Sequence, residues 1–400
     1  MKILVVLSRL PYPLDKGDKL RAYHQLKHLK QRHQIILCCT SEESPSEKQL
    51  AEVRKVCHDL HVFQLKRWRI LLSLLVACFS RKPFQVHYFY QKKVHQALKA
   101  LISAEQPDHI YAQLLRTAEY VKEEYNFAKT LDYQDAFSKG MDRRARLASW
   151  PLSEIFAAER KRLIAYENII FEYFENKSII SEEDRRHIYH PRRNDIAIIS
   201  NGIDTSFFAR EQQNKENRQA KSGYDLLFTG NMSYAPNVEA AVYIVEEVLP
   251  LLRKEYEQVT LLIAGSSPSR KVKELAAVKG VEVSGWMDDI RDAYRCARIF
   301  FAPMQIGTGL QNKLLEAMAM RLPCITSSLA NRALKAEHGR QLLVSDTAQE
   351  QAQNILQLLK HPEQRETLGE AGRNYVQQHY SWEASVKQLE KLFSANSITA

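Results

Sequence analysis

The chain has 400 residues, of which 45% are apolar and 26% charged, with a formal net charge of +10. That length suits two domains. The composition excludes a disordered chain, and no apolar run is long enough to cross a bilayer. The six cysteines, Cys38, Cys39, Cys57, Cys78, Cys296 and Cys324, form no CxxC or zinc spacing, so a reducing cytoplasmic compartment is expected.

From the N-terminus, residues 3–7 are apolar and stop at Ser8-Arg9, too short for a secretory signal core and right for a buried first strand. Helical spacing follows over 20–30, where Leu20, Tyr23, Leu26 and Leu29 share a face. Strands are expected at 34–39, 61–65, 109–112, 129–132, 178–180 and 196–199, with helices at 47–56 and 153–174. The apolar run 70–79 lies between Lys66-Arg67-Trp68-Arg69 and Arg81-Lys82. It fits either an interfacial helix or hairpin lying on an anionic membrane, or a buried helix with solvated ends. Residues 211–222 are polar and without periodicity, as in a linker. The alternation then restarts, with strands at 225–229, 260–264, 281–284, 299–302, 324–326 and 341–344. Helices are expected at 238–253, 271–278, 290–296, 310–320 and 348–359, and a last one at 382–393. Two such series predict an α/β protein with two doubly wound parallel sheets.

Charge is divided unevenly between the halves. Residues 1–200 hold 34 Lys/Arg and 24 Asp/Glu, whereas residues 201–400 hold 23 of each, so the whole excess lies in the first half. A basic half fits anionic lipid, a phosphorylated substrate or plain solubility. No recognised nucleic-acid module accompanies it, so nucleic acid is not the expected partner.

The segment from Pro303 to Met320 carries the most chemistry. A strand ends at Pro303, a loop with Gly307-Thr308-Gly309 follows, and a helix begins near Leu310. Glycines admit close backbone approach, and a helix start offers free N–H groups to a diphosphate. Lys313 and Glu316, three apart, share a face of that helix. The lysine suits a phosphate and the glutamate suits ribose hydroxyls, or the two simply pair on the surface. No Gly-x-Gly-x-x-Gly follows the first strand, which argues against a nicotinamide site. Asp288-Asp289 reads as helix capping rather than metal ligation.

This segment, with Leu315-Glu316-Ala317-Met318-Ala319, resembles the nucleotide-binding motif of the family 4 retaining glycosyltransferases. Ser200-Asn201-Gly202-Ile203-Asp204, Leu227-Phe228-Thr229-Gly230, Ile263-Ala264-Gly265 and Gly285-Trp286 are similar to further motifs of that family. Gly230-Asn231-Met232-Ser233-Tyr234-Ala235-Pro236-Asn237 resembles a branch linked to exopolysaccharide systems. The resemblance implies a GT-B fold, with two Rossmann-like domains facing a cleft. Residues 1–200 would bind the acceptor, residues 201–378 the nucleotide-sugar, and a helix in 379–400 would cross back to the first domain. It implies a donor site formed by Gly230, Asn231, Gly265, Gly285, Trp286, Gly307, Thr308, Gly309, Leu310, Asn312, Lys313 and Glu316. A nucleotide-diphosphate sugar would be the substrate, with no cofactor and no metal needed for chemistry. The acceptor would be a saccharide or a lipid-linked saccharide, near an anionic membrane surface. In the first domain it points to Gly17, Asp18, Lys19 and Arg21 as an acceptor or phosphate loop. Asp132 stands where the family often has a catalytic-site histidine, and can equally terminate a turn. Two departures matter: Thr308 stands where many members have a first glutamate, and the loop after Gly230 lacks their Arg and Lys. A sugar-nucleotide epimerase of the same fold, or a non-catalytic glycan- or lipid-binding partner, therefore stays open.

Overall fold

The computed structural model describes residues 1–209, 223–306 and 310–394. The proposed linker at 211–222 and the Gly307-Thr308-Gly309 loop lie outside the described residues. The chain forms two compact units, Met1–Gly202 with the segment from Trp382 onward, and Ile203–Ser381.

The first unit is built on seven parallel strands: β1 (Lys2–Leu7), β2 (Gln34–Ser41), β3 (Asp59–Gln64), β4 (His109–Gln113), β5 (Ala128–Asp132), β6 (Asn176–Ile179) and β7 (Ala197–Ile198). Their order is β3-β2-β1-β4-β5-β6-β7, with Val5 of β1 aligned to Leu37 and Tyr111. The sheet is covered on both faces, which explains why β1 and β2 read as unbroken apolar runs rather than alternating ones. Ile3, Val5, Leu7, Ile35 and Leu37 point to one side, where they meet Leu26 and Leu29 of α1 (Gly17–Leu29). Leu4, Val6, Ile36, Ile110 and Ala112 point to the other. That second face is covered by helices that follow α2 (Glu47–Arg54): α3 (Arg67–Cys78), α4 (Phe84–Phe89), α5 (Lys92–Glu105), α6 (Leu115–Ala118), α7 (Phe137–Leu147) and α8 (Leu152–Phe171). A short α9 (Glu182–Arg186) follows β6.

The helices α4, α5 and α7 are not among the expected elements, although α5 carries a helical stripe at Val94, Ala97, Leu98, Leu101 and Ile102. Val94, Leu98 and Ile102 of α5 are buried and Leu101 packs beside them. Aromatic α4 has strand-like composition, and the burial of Val86 and Phe89 holds it helical.

The second unit has six parallel strands: β8 (Tyr224–Thr229), β9 (Leu261–Ala264), β10 (Val281–Gly285), β11 (Ala297–Ala302), β12 (Cys324–Thr326) and β13 (Leu343–Val344), ordered β10-β9-β8-β11-β12-β13. Its helices are α10 (Ala235–Tyr243), α11 (Leu249–Arg253), α12 (Arg270–Glu274), α13 (Arg291–Arg295), α14 (Asn312–Ala319), α15 (Ser328–Leu334), α16 (Ala348–Lys360) and α17 (Pro362–His379). The single helix expected at 238–253 is interrupted. Ile244–Val248 forms a π turn in which the Leu249 N–H reaches Ile244 O, five residues back. Pro250 supplies the reason, because it has no N–H to continue the ordinary ladder. The last helix, α18 (Trp382–Ser394), belongs to the first unit: Val386, Leu389 and Phe393 enter the α1 side of its core, and Trp382 stacks on His24 at 5.0 Å.

Candidate functional site

In both sheets the strand order reverses direction between the first strand and the fourth. Ligands in open parallel sheets bind at the carboxyl ends of the strands beside such a reversal. In the second unit this place is the end of β8 and β11, and a cavity of about 500 Å3 lies there. Gly230 and Gly265 close the ends of β8 and β9. They approach so tightly that a Cβ on Gly265 would sit 1.8 Å from Gly230 O, which demands glycine. At Gly285, at the end of β10, the backbone takes φ +69, and the next residue, Trp286, stands on the cavity rim with its indole 74% exposed.

The helix α14 carries Asn312, Lys313 and Glu316 to the cavity wall, while Leu314, Leu315, Ala317 and Met318 bury the opposite side. Lys313 and Glu316 do not simply pair on the surface. Lys313 Nζ donates to Asn237 Oδ1 at 2.5 Å and lies 4.6 Å from the centre of the Phe228 ring. Partial burial pushes its pKa down to about 8, with Glu316 acting weakly in the other direction. Glu316 accepts a hydrogen bond from the Tyr294 hydroxyl at 2.7 Å, and that hydroxyl also meets Thr229 Oγ1 at 2.9 Å. Burial raises the Glu316 pKa; Tyr294 and Lys313 partly offset the rise.

Asn237 is a working residue that the sequence presents only as part of a helix start. Its Nδ2 donates to Asn231 O at 2.9 Å, so one amide both ties down the loop after β8 and holds Lys313. A polar residue at the head of an apolar helix was the available signal. Tyr294 offered none, since an aromatic on a short helix reads as core. Phe207 also lines the cavity, with Arg291 stacked 3.9 Å over it. Arg291 in turn holds Asp289 at 2.6–2.9 Å, and its main-chain N–H reaches the same carboxylate at 2.9 Å. Asp289 is thus a turn and ion-pair residue at the head of α13.

Gly230, Asn231, Gly265, Trp286, Leu310, Asn312, Lys313 and Glu316 therefore converge on one cavity. Gly307, Thr308 and Gly309 lie outside the described residues.

The first unit departs from expectation. Arg21, expected in an anion-binding loop or an ordinary helix start, and Asp132, expected as a cleft carboxylate or a turn terminus, are buried partners of one another. Arg21 Nε meets Asp132 Oδ2 at 2.7 Å with both side chains fully buried, and Arg21 Nη1 meets Asn201 Oδ1 at 2.8 Å. Asp132 also accepts from the Tyr111 and Ser178 hydroxyls, each at 2.9 Å. Burial opposes the charge on Arg21, yet the carboxylate holds its pKa above the ordinary value. The physical cause is that β1, β4 and β5 are central strands, so groups at their ends are desolvated and must satisfy one another. Lys19 pairs with Asp15 at 2.9 Å, Asp18 accepts from Arg9 at 3.2 Å, and Gly17 is exposed at the start of α1.

A different cation pair marks this end of the first sheet. Arg116 follows Leu114, whose backbone takes φ +69 although it is not glycine. The guanidiniums of Arg116 and Arg9 lie 4.9 and 5.4 Å from the centre of the Phe89 ring. Burial and the Arg9 charge push the Arg116 pKa down to about 10, and its Nη1 is buried with no hydrogen-bond partner. Sequence reading missed both, because Arg9 and Arg116 are 107 positions apart.

A cavity at the reversal of a glycine-ended parallel sheet is the usual place for a ligand in an open α/β unit. Residues 223–361 match the model of the Glycosyl transferases group 1 family. Over 407 aligned positions the chain is 22% identical to a protein of the Klebsiella pneumoniae cps region, covering 99% of this chain and all of that one. It is 23% identical over 208 residues to a glycosyltransferase of Methanocaldococcus jannaschii, covering 50% of this chain and 52% of the other. In fold it is similar to Anabaena HepE, solved in complex with UDP, with a TM-score of 0.63, 16% identity, and coverage of 99% and 100% of the two chains. The architecture is thus that of the GT-B glycosyltransferases, two Rossmann-like parallel-sheet domains, and the group 1 domain and relatives support a glycosyltransferase.

Proposed function

We propose that the second-unit cavity binds a nucleoside-diphosphate sugar, and that the sugar is passed to a saccharide or lipid-linked acceptor held by the first unit. The setting is cytoplasmic cell-surface or exopolysaccharide synthesis. The observation that carries this reading is the meeting of Lys313 and Glu316 on one wall of a cavity at the strand ends. The cps-region relative supports a polysaccharide product, and the UDP held by HepE supports a nucleotide donor.

In this reading Lys313 neutralises the diphosphate. Its partial desolvation keeps the charge poorly compensated until an anion arrives. Asn237 aims it, and Glu316, oriented by Tyr294, accepts from the ribose hydroxyls. Trp286 packs on the base. Transfer proceeds with retention: the leaving diphosphate helps take the proton from the acceptor hydroxyl on the same face. The protein positions the reactants and stabilises the growing phosphate charge without a divalent metal. Arg9 and Arg116 fit an anionic group on the acceptor, such as the phosphate of a lipid-linked saccharide.

Calorimetric titration with UDP, GDP and ADP, with and without EDTA, tests the reading. Binding of one nucleotide in the micromolar range is expected. It should be unaffected by EDTA and lost in a Lys313→Ala/Glu316→Ala variant. Failure of all three nucleotides to bind would overturn the donor site.

A further inference from the structure

The geometry points to the first unit docking on an anionic lipid bilayer through the outward face of α3. This goes beyond the donor site and does not rest on it. Trp68, Leu71, Leu72, Leu75, Val76 and the following Phe79 are each more than half exposed, Phe79 at 96%. Their spacing is i, i+3, i+4, i+7, i+8, i+11, which is a single helical stripe. In an ordinary surface helix such a stripe faces the core. Here a second, thinner stripe does so: Ile70 and Ala77 are buried, and the Ser73 hydroxyl donates to His87 O at 2.8 Å. Arg162 of α8 fastens the far end by donating to Ala77 O at 3.0 Å. The helix is therefore held by its narrow side and turns its broad apolar side outward.

Charge selects the occupant. From Leu60 to Ala104 the chain has eight Lys/Arg and no Asp or Glu. Two of these cations beside the helix are already paired, Arg67 with Glu43 and Lys82 with Glu119, each at 2.7 Å. Lys66, Arg69 and Arg81 have no ion-pair partner among the described residues. Arg69 lies 4.9 Å over the Trp68 ring, so an aromatic and a cation stand together at one end of the apolar stripe, as at a membrane interface. A second copy of the chain would bring the same cationic rim against itself, whereas anionic headgroups would complement it. The helix of 12 residues is about 18 Å long, too short to span the roughly 30 Å hydrocarbon core, so it lies in the plane of the surface.

The start of α8 extends the contact. Ile155 is seven residues before Arg162 and therefore on the stripe that reaches α3, yet it is exposed, as are Leu152 and Trp150.

Sedimentation of the full chain with vesicles tests the proposal. Wild type should sediment with vesicles of roughly one-third phosphatidylglycerol in phosphatidylcholine, and much less with phosphatidylcholine alone. Leu71→Ser/Leu75→Ser should weaken binding about tenfold or more, and Arg69→Gln/Arg81→Gln about tenfold. Both variants should keep wild-type nucleotide binding, since the changed side chains are far from the cavity in sequence and mostly solvent-facing. The proposal is overturned if wild type ignores the anionic vesicles, or if the leucine variant binds them as wild type does. It is also overturned if wild type proves to be a dimer that the leucine variant dissociates, with no vesicle binding by either.

Discussion

The first six strands of each sheet follow one order, but the charges at their switch-point ends are satisfied in opposite ways. In the first unit, Arg21, Asp132, Tyr111, Ser178 and Asn201 satisfy one another in a buried network. In the second, Lys313 and Glu316 are partly buried against a cavity and meet only neutral groups among the described residues: Lys313 donates to Asn237 and lies 3.8 Å from the Met304 sulfur, and Glu316 accepts from Tyr294. A closed network spends its charges on the fold, whereas an open one keeps them for a ligand. Equivalent positions in equivalent folds thus do not imply equivalent roles.

Breaking the closed network should have the largest effect. Asp132→Ala leaves the Arg21 guanidinium buried without its carboxylate, and should destabilise the first unit by about 3–5 kcal/mol. Urea unfolding followed by circular dichroism checks this, and adding Arg21→Met should return much of the loss. If Asp132→Ala unfolds like wild type but loses transfer, the closed network is the catalytic one and the contrast collapses.

The open site should respond the other way. Lys313→Met should lower turnover by about 100- to 1,000-fold, equivalent to roughly 2.7–4 kcal/mol, with no loss of stability. The pH dependence sharpens this point. The folded pKa of Lys313, about 8, lies below the usual lysine value of roughly 10.4. Across that window the unfolded chain binds a proton that the folded chain does not, so this residue makes stability rise with pH from about 8 to about 10.4. Nucleotide affinity should fall over the same rise, as the cation is lost. Lys313→Met should flatten both trends, which thermal melts and titrations at a series of pH values will read.

The smallest effect tests the support of Glu316. Tyr294→Phe removes a hydrogen bond to a carboxylate and should weaken nucleotide binding by about 1–2 kcal/mol, leaving turnover at saturating donor nearly unchanged. A large fall in turnover would place Tyr294 in the chemistry rather than behind it.

The strands were the most legible part of the sequence. All thirteen described strands overlap expected ones, most of them apolar runs ending at Gly, Pro or a polar turn, whereas β6 begins two residues before the strand expected at 178–180. Where a strand buried on both faces is apolar along its length, as β1 and β2 are, its signal is local; β5 and β6 are as buried but carry Lys129, Thr130, Asp132, Asn176, Lys177 and Ser178. The helices were less legible: α5 was not among the expected elements despite its stripe of Val94, Leu98, Leu101 and Ile102, and Pro250 gave no notice of the π turn before it. The Lys313/Glu316 pairing on one cavity wall was legible because the two are one helical turn apart.

What the tertiary structure alone decided is who meets whom across long separations. Arg21 and Asp132 are 111 positions apart, and only the sheet register makes them partners rather than ligand groups. Arg9 and Arg116 share Phe89 for the same reason. Whether the apolar run after Lys66 was core or surface also waited on the fold. Its periodicity specifies an apolar stripe, but which way a stripe turns depends on what the rest of the chain packs beneath it.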